Sequence, residues 1–258
     1  MIPFQRREKI VQELQRKKTC TVFELSRLVG VSEATIHRDL VHLDSTGIIE
    51  KVHGGATIIE SLGENSKGEQ RLDLRLRKQV AEKEDIARRA VRLIRDETSI
   101  FLDHSSTSIY LAREIRSRTY ENLIVITNSV KILNEFDWPS SISVISTGGY
   151  LQRQWSALGG AIALDSLSRL NFDQIFISCG GVSIDRGVMT SFTFIVEILR
   201  KASGIAREVN LMVDNSKFSK VGTYTIMPVT TLKRIITDEK ISQQVADQYR
   251  GLGIGVDF

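Results

Sequence analysis

Six short apolar runs recur from residue 99 onward: SIFLD (99–103), LIVIT (123–127), ISVIS (142–146), QIFIS (174–178), NLMVD (210–214) and RIITD (234–238), with helical stretches between most of them. Runs that are apolar almost throughout are the pattern of strands covered on both faces. Strands of that kind, separated by helices, pair in a largely parallel sheet with helices on either side, so residues 79–258 are expected to form an α/β domain. Every run ends in a small or acidic polar residue, namely Asp103, Thr127, Ser146, Ser178, Asp214 and Asp238. Ligands of open α/β sheets bind beyond the carboxyl ends of the strands, so this row marks the expected crevice. A strand end is also simply where polar residues resume, which makes the loops that add Ser, Thr, Gly or Lys the stronger candidates.

The first 59 residues follow a different period. Ile10, Val11 and Leu14 recur at helical spacing and predict a helix over 5–17. Thr21 is placed to cap a second helix carrying Leu25 and Leu28, and Gly30 is able to end it in the left-handed conformation. Ser32 then opens a third helix whose Ile36, Leu40 and Leu43 share one face, with Gly47 as its stop. IIEKVHGGATII (48–59) predicts a hairpin turning at Gly54-Gly55. Two helices, a glycine turn, a third helix and a hairpin make a winged helix-turn-helix, in which the helix after the turn enters the major groove of DNA. Residues 60–78, polar and glycine-containing until Leu72, Leu74 and Leu76, are expected to be a linker with a short ordered end.

With Ile36, Leu40 and Leu43 turned inward, Glu33, Ala34, His37 and Arg38 are left to face DNA. Arg38 is suited to a guanine edge or a phosphate, and Ser32 and Thr35 can donate to phosphate oxygens. Asp39 would be repelled by phosphates, so a salt bridge to a neighbouring basic side chain is the expected role. His37-Arg38-Asp39-Leu40 also spells the opening of a protein-kinase catalytic loop, but only 36 residues precede it, no G-x-G-x-x-G is among them, and Asp44 stands where the kinase asparagine belongs.

Composition narrows the partners. With 41% hydrophobic and 26% charged residues the chain is an ordinary globular protein. Its net charge of +4 permits nucleic-acid binding without demanding it. The basic residues are concentrated at the start: Arg6, Arg7, Lys9, Arg16, Lys17 and Lys18 stand against Glu8 and Glu13 alone within residues 1–18. Cys20 and Cys179 belong to no C-x-x-C pair, so neither a disulfide framework nor a zinc site is expected. There is no apolar run of roughly 18 residues and no signal-peptide pattern, so a cytoplasmic protein with no membrane contact is expected.

Together these residues resemble the DeoR-type bacterial transcription regulators. That family's signature is an arginine, helically spaced apolar residues, and S-x-x-T-[apolar]-R-R-D-L, with a His-Gly-Gly wing. Here it reads Arg6, Ile10, Leu14, Ser32-Glu33-Ala34-Thr35-Ile36-His37-Arg38-Asp39-Leu40 and His53-Gly54-Gly55-Ala56, departing at His37, where most members have arginine. The later residues resemble the family's sugar-phosphate-sensing domain, a fold related to ribose-5-phosphate isomerase. The matching segments are Glu82-Lys83, the loop Asp103 to Thr107, Thr127-Asn128-Ser129, Gly148-Gly149, FISCGGV (176–182) with Gly180 and Gly181, and Asp214-x-Ser216-Lys217. In the family's D-x-G-T-T loop this chain has Asp103-His104-Ser105-Ser106-Thr107, with serine in place of a glycine that can take positive φ.

The resemblance implies double-stranded operator DNA and a phosphorylated sugar as partners. Ser105, Ser106 and Thr107, at the start of a helix, would hold the phosphate with Lys217, while Asn128 and Asp103 would bond sugar hydroxyls. The alternative is an isomerase-like enzyme tethered to DNA. Against it, the isomerase's acidic stretch after the QIFIS strand is replaced by Ser178-Cys179-Gly180-Gly181, and Glu197, the remaining candidate acid, reads as a helix-surface residue. No nucleotide, metal or cofactor motif is present. Because one winged domain offers a small interface, two or more copies held through the C-terminal domains are expected.

Overall fold

The structure is a computed structural model that describes residues 3–45, 49–52, 54–58, 72–136 and 141–258. The expected helix stop at Gly47, the wing residue His53 and residues 60–71 of the expected linker lie outside the described residues. Two compact units divide the chain, Met1–Ser66 and Lys67–Phe258.

In the first unit α1 (Pro3–Lys17), β1 (Thr19–Thr21), α2 (Val22–Val29), α3 (Glu33–Ser45), β2 (Ile49–Val52) and β3 (Gly55–Ile58) follow in order. Reciprocal caps start α2: the Thr21 hydroxyl accepts from the Glu24 N–H while the Glu24 carboxylate accepts from the Thr21 N–H. An N-cap of this type is worth about 1 kcal/mol. The helix ends at Gly30, whose φ of 69° is left-handed and whose N–H donates to the Ser26 carbonyl. That turn aims α3, and its Ile36, Leu40 and Leu43 are buried with Ile10, Leu14, Leu25 and Ile49. Leu28 falls off this stripe and is largely exposed. The hairpin forms as expected with register Val52↔Gly55, and β1 adds an edge to it, giving the order β1-β3-β2. Thr-Cys-Thr is too short to show an alternation, so β1 was not expected from the sequence.

Asp39 makes the ion pair that its place in the sequence suggests. It is 1% exposed, and its carboxylate accepts from the Arg6 Nε and Nη2 and from the Arg7 Nε at 2.9 Å. Burial by itself raises the pKa of this carboxyl, and the two guanidinium groups more than offset it, leaving the pKa below the ordinary value.

The second unit runs α4 (Leu72–Arg77), α5 (Val80–Ala90), β4 (Ser99–Leu102), α6 (Ser106–Arg116), β5 (Ile124–Thr127), α7 (Val130–Leu133), β6 (Ser143–Ser146), β7 (Tyr150–Gln152), β8 (Ala157–Gly159) and α8 (Ala161–Ser168). It continues with β9 (Gln174–Ile177), β10 (Gly181–Ser183), β11 (Gly187–Thr190), α9 (Val196–Ile205), β12 (Glu208–Met212), β13 (Tyr224–Met227), β14 (Arg234–Ile236), α10 (Gln243–Arg250) and β15 (Gly255–Asp257). All six apolar runs are strands of one parallel sheet, ordered β15-β14-β12-β9-β4-β5-β6, with β15 as a seventh member. Alternation along the strands sorts the core into two layers. Ile100, Leu102 and Phe176 pack with Ile86 of α5 and Ile109 of α6, whereas Phe101, Ile175 and Ile177 pack with Leu167 of α8 and Leu199 of α9. Strands of three or four residues form the pairs β7–β8 and β10–β11, and β13 joins the latter in a small antiparallel sheet. Residues 72–77, at the ordered end of the expected linker, form α4, and Leu72 is buried in the second unit's core. Among the described residues no helix is long and apolar enough to cross a membrane.

Asp39→Asn is expected to destabilise the first unit by about 2 to 3 kcal/mol, less than for a fully buried pair because Arg7 keeps some solvent contact. Because the folded pKa of Asp39 is depressed, its stabilisation is present above the unfolded value of about 3.9 and is lost as pH falls through the folded one. Urea unfolding at neutral pH and below about pH 4 checks both points, since the asparagine variant lacks this acid dependence.

Candidate functional site

The start of α3 is the exposed face that the sequence suggested. Ser32, Glu33, Ala34, His37 and Arg38 are exposed and Thr35 is half-buried, while Ile36, Asp39 and Leu40 point inward. The hydroxyls of Ser32 and Thr35 hydrogen-bond each other at 3.0 Å, which leaves the hydrogen of the accepting one free to donate to a phosphate. By holding the inward-pointing Asp39, Arg6 and Arg7 neutralise the carboxylate behind this face and tie α1 to α3. Gly54 turns the wing with φ of 78° and is exposed. Gly55 has a packing role: a Cβ there would lie 2.3 Å from the Cys20 carbonyl oxygen, so glycine lets β3 approach β1.

In the second unit a cavity of about 560 Å³ opens at the carboxyl ends of β4, β9 and β12, three adjacent strands of the parallel sheet. Its organising group is Asp103, fully buried at the end of β4. One carboxylate oxygen accepts from the Ser105 N–H at 3.1 Å and from the Ser108 hydroxyl, and the other accepts from the Ser178 N–H at 3.1 Å. Burial raises its pKa, and these hydrogen bonds oppose the rise. Asp103 therefore braces the loop from β4 to α6 against the end of β9. Both of its oxygens are engaged in this brace, the second by a single donor, so any bond to a sugar hydroxyl would be made by a carboxylate already holding the loop. Ser105, with φ of −69°, sits in ordinary extended backbone as the N-cap of α6, its hydroxyl accepting from the Ser108 N–H. Serine therefore fits here without the positive φ that a glycine could take. Ser106 and Thr107 begin α6 and line the cavity, where the positive end of an eleven-residue helix favours an anion.

Cations dominate the wall. Arg75, Lys78, Lys83, Lys217 and Lys220 all line the cavity, whereas its only lining carboxylates are Asp103 and Asp214. Asp214 caps the turn after β12 by accepting from the N–H and hydroxyl of Ser216. Lys83 is buried, donates to the carbonyls of Arg75 and Lys78, and has its pKa lowered to about 8. Burial is the main cause; Asp214 pulls the other way, and Lys217 and Arg75 lower it further.

The remaining expected ligand residues are distributed unevenly. Gly180 lines the cavity, with its N–H donated to the Met189 carbonyl, but Gly181 does not: a Cβ there would meet the Lys220 carbonyl oxygen at 2.2 Å, so its role is close packing. Thr127, Asn128, Ser129, Gly148 and Gly149 lie outside the cavity wall. Thr127 donates to the Leu102 carbonyl at 2.7 Å and accepts from the Ser129 N–H, Ser129 caps α7, and Asn128 donates to the Leu158 carbonyl. Gly149, with φ of 107°, would carry a Cβ 2.4 Å from the Gly159 carbonyl oxygen. These residues belong to the ends of β5 and β6, one and two strands beyond β4 in the sheet, and hold loops there. Conversely, Arg75, Lys78, His104 and Lys220 line the cavity without having been expected. The Arg-x-Arg-Lys run at 75–78 was readable as a charge cluster, but it stood in the expected linker. Glu197 is exposed, paired with Arg200 at 3.1 Å, and outside this cavity.

Comparison with known proteins agrees with this division. Residues 6–62 match the model of the DeoR-like helix-turn-helix domain, and residues 78–239 match that of the DeoR C-terminal sensor domain. The chain belongs to the DeoR family. Similar over nearly its whole length is the HTH-type transcriptional regulator GolR of Listeria innocua, 30% identical over 99% of this chain and 98% of that one. A putative aga operon transcriptional repressor of Escherichia coli is 30% identical over 98% and 92% of the two chains, and an L-fucose operon activator of Escherichia coli is 32% identical over 91% and 95%. Among solved structures, ribose 5-phosphate isomerase A of Methanocaldococcus jannaschii aligns over 54% of each chain at 19% identity with a TM-score of 0.39, too distant to carry an argument. As a DeoR member this chain is a DNA-binding transcriptional regulator and not an enzyme, with its first unit as the DNA-binding part and its second as the sensor.

Sulfate, whose charge is constant in this range, is expected to bind the cationic cavity more weakly as pH rises from about 7 to 9, because Lys83, with its pKa lowered to about 8, loses its proton. Lys83→Met should bind sulfate more weakly at the lower end and show a flatter dependence over that range. Calorimetric titration of both proteins across these pH values is the check.

Proposed function

We propose that this regulator represses a carbohydrate-utilisation operon and that a phosphorylated sugar in the sensor cavity sets its affinity for the operator. The observation that carries the reading is the wall of the cavity, where five cationic side chains and the start of α6 surround a space whose two carboxylates are both engaged in loop contacts. Such a wall favours a multiply charged anion, for which phosphate is the simplest case. The sugar half rests on kinship: relatives bear names that tie them to the aga and L-fucose operons. On this reading Ser106, Thr107, Lys83 and Lys217 hold the phosphate. DNA is read by the exposed start of α3, with Ser32, Thr35 and Arg38 at the backbone or base edges and His53 and Gly54 in the wing. A homo-oligomer binds two spaced half-sites from the cytoplasm, and ligand must then bind the free and operator-bound forms with different affinity.

A thermal-shift screen of hexose, pentose and triose monophosphates tests the effector, since a ligand present at 100 times its dissociation constant adds roughly 2.7 kcal/mol of stability. Melting unmoved by every phosphate compound would overturn the reading. Lys217→Ala should bind operator normally and fail to respond to the sugar phosphate. Arg38→Ala should weaken operator binding by about 1 to 3 kcal/mol if the guanidinium meets a base, with the loss concentrated on the cognate sequence; a phosphate contact would weaken all sequences alike. Gel-shift titration of both variants, with and without effector, separates these outcomes.

A further inference from the structure

His104 is the member of the cavity wall that an anion does not explain. It follows the Asp103 brace, lines the cavity, and is 1% exposed. Neither of its ring nitrogens has a hydrogen-bond partner, and both are closed to solvent. Polar atoms left in that condition are destabilising, and where a folded protein keeps them they commonly wait for a partner absent from the unliganded chain. The imidazole is also uncharged: burial first, and the Arg75 guanidinium second, hold its pKa well below the ordinary value. An uncharged imidazole offers one donor and one acceptor.

This chemistry is the complement of what surrounds it. Arg75, Lys83 and Lys217 offer positive charge and donors only, which suits phosphate and discriminates poorly among the groups attached to it. A hydroxyl or carbonyl oxygen needs a partner whose position and polarity match, and loss of that match leaves buried groups unpaired. The ring of His104 lies 5.7 Å from that of Phe192, which in turn packs on Trp155 and Phe194, so an aromatic stack limits where the imidazole can go. Rotation about its Cβ–Cγ bond changes which edge the ring turns toward the cavity while leaving Asp103 and the start of α6 in place.

We propose that His104 is the specificity-determining residue of the sensor, turning to hydrogen-bond an uncharged hydroxyl or carbonyl oxygen of the sugar while the cationic wall holds the phosphate. This inference rests on the sugar-phosphate reading above. It means that selectivity among sugar phosphates lies with a residue that adds little to affinity for phosphate itself.

The test titrates wild type, His104→Phe and His104→Gln with inorganic phosphate and with the sugar monophosphate that wild type binds most tightly in the screen. Phenylalanine keeps a ring of similar size without either nitrogen, whereas glutamine restores a donor and an acceptor. His104→Phe is expected to bind inorganic phosphate as wild type does, to lose on the order of ten- to a hundredfold in affinity for the sugar phosphate, and to melt no lower than wild type without ligand. His104→Gln should recover part of the loss, and His104→Leu serves the same test if the phenylalanine ring does not fit. Wild-type affinity of the apolar variant for the sugar phosphate overturns the proposal, as does an equal loss for inorganic phosphate, which would make His104 a structural support. If wild type binds neither compound, the sugar-phosphate reading itself fails, and this inference goes with it.

Discussion

A carboxylate shut away from water has to find its donors inside the protein, and Asp103 finds them at the start of α6 and just past β9. Its contacts to Ser105 and Ser108 fix how the chain leaves β4 and enters α6, and its contact to Ser178 ties that turn to the end of β9. The cavity lies where these strands end. The direction in which α6 presents Ser106 and Thr107 depends on the same three hydrogen bonds. Such a carboxylate is expensive to bury, and its pKa is raised accordingly; the three hydrogen bonds to its oxygens are what keep the arrangement in place.

The DNA-binding unit solves a related problem with the opposite polarity. Asp39 sits on α3, the helix proposed to approach DNA phosphates, which a free negative charge there would repel. Arg6 and Arg7 neutralise it from α1, so one ion-pair cluster removes the unfavourable charge and fastens α1 to α3. In both units a buried aspartate has a structural role beside the surface that meets a ligand.

Much of this was legible beforehand, for reasons that differ by residue. The reciprocal caps at Thr21 and Glu24 and the left-handed Gly30 are local events governed by neighbours in sequence, and they form as the pattern indicates. The six strands were legible because burial on both faces leaves a continuous apolar run. The strands β7, β8, β10 and β11 were not, since three or four residues show no clear period. The motif around Asp103 to Thr107 and Lys217 marked loops that line the cavity, while Thr127, Asn128, Ser129, Gly148 and Gly149 are absent from the wall because β5 and β6 lie one and two strands beyond β4. Strand order is set by packing between distant segments, and a polar residue at the end of a strand does not reveal which neighbours that strand has.

By itself the sequence determined the two kinds of structure, the turn that aims α3, the face of α3 left outward, and the parallel α/β character of the sensor unit. Each follows from spacing along the chain, which the backbone converts directly into a helix face or a sheet side. Only the tertiary structure decided that Asp103 is a brace, that Arg75 and Lys78 of the expected linker join the cavity wall, and that His104 is buried with neither nitrogen bonded. Those outcomes depend on which strand ends are adjacent and on how completely each polar atom is covered. Solvent exclusion is a property of the packed whole, and no residue's neighbours in sequence determine it.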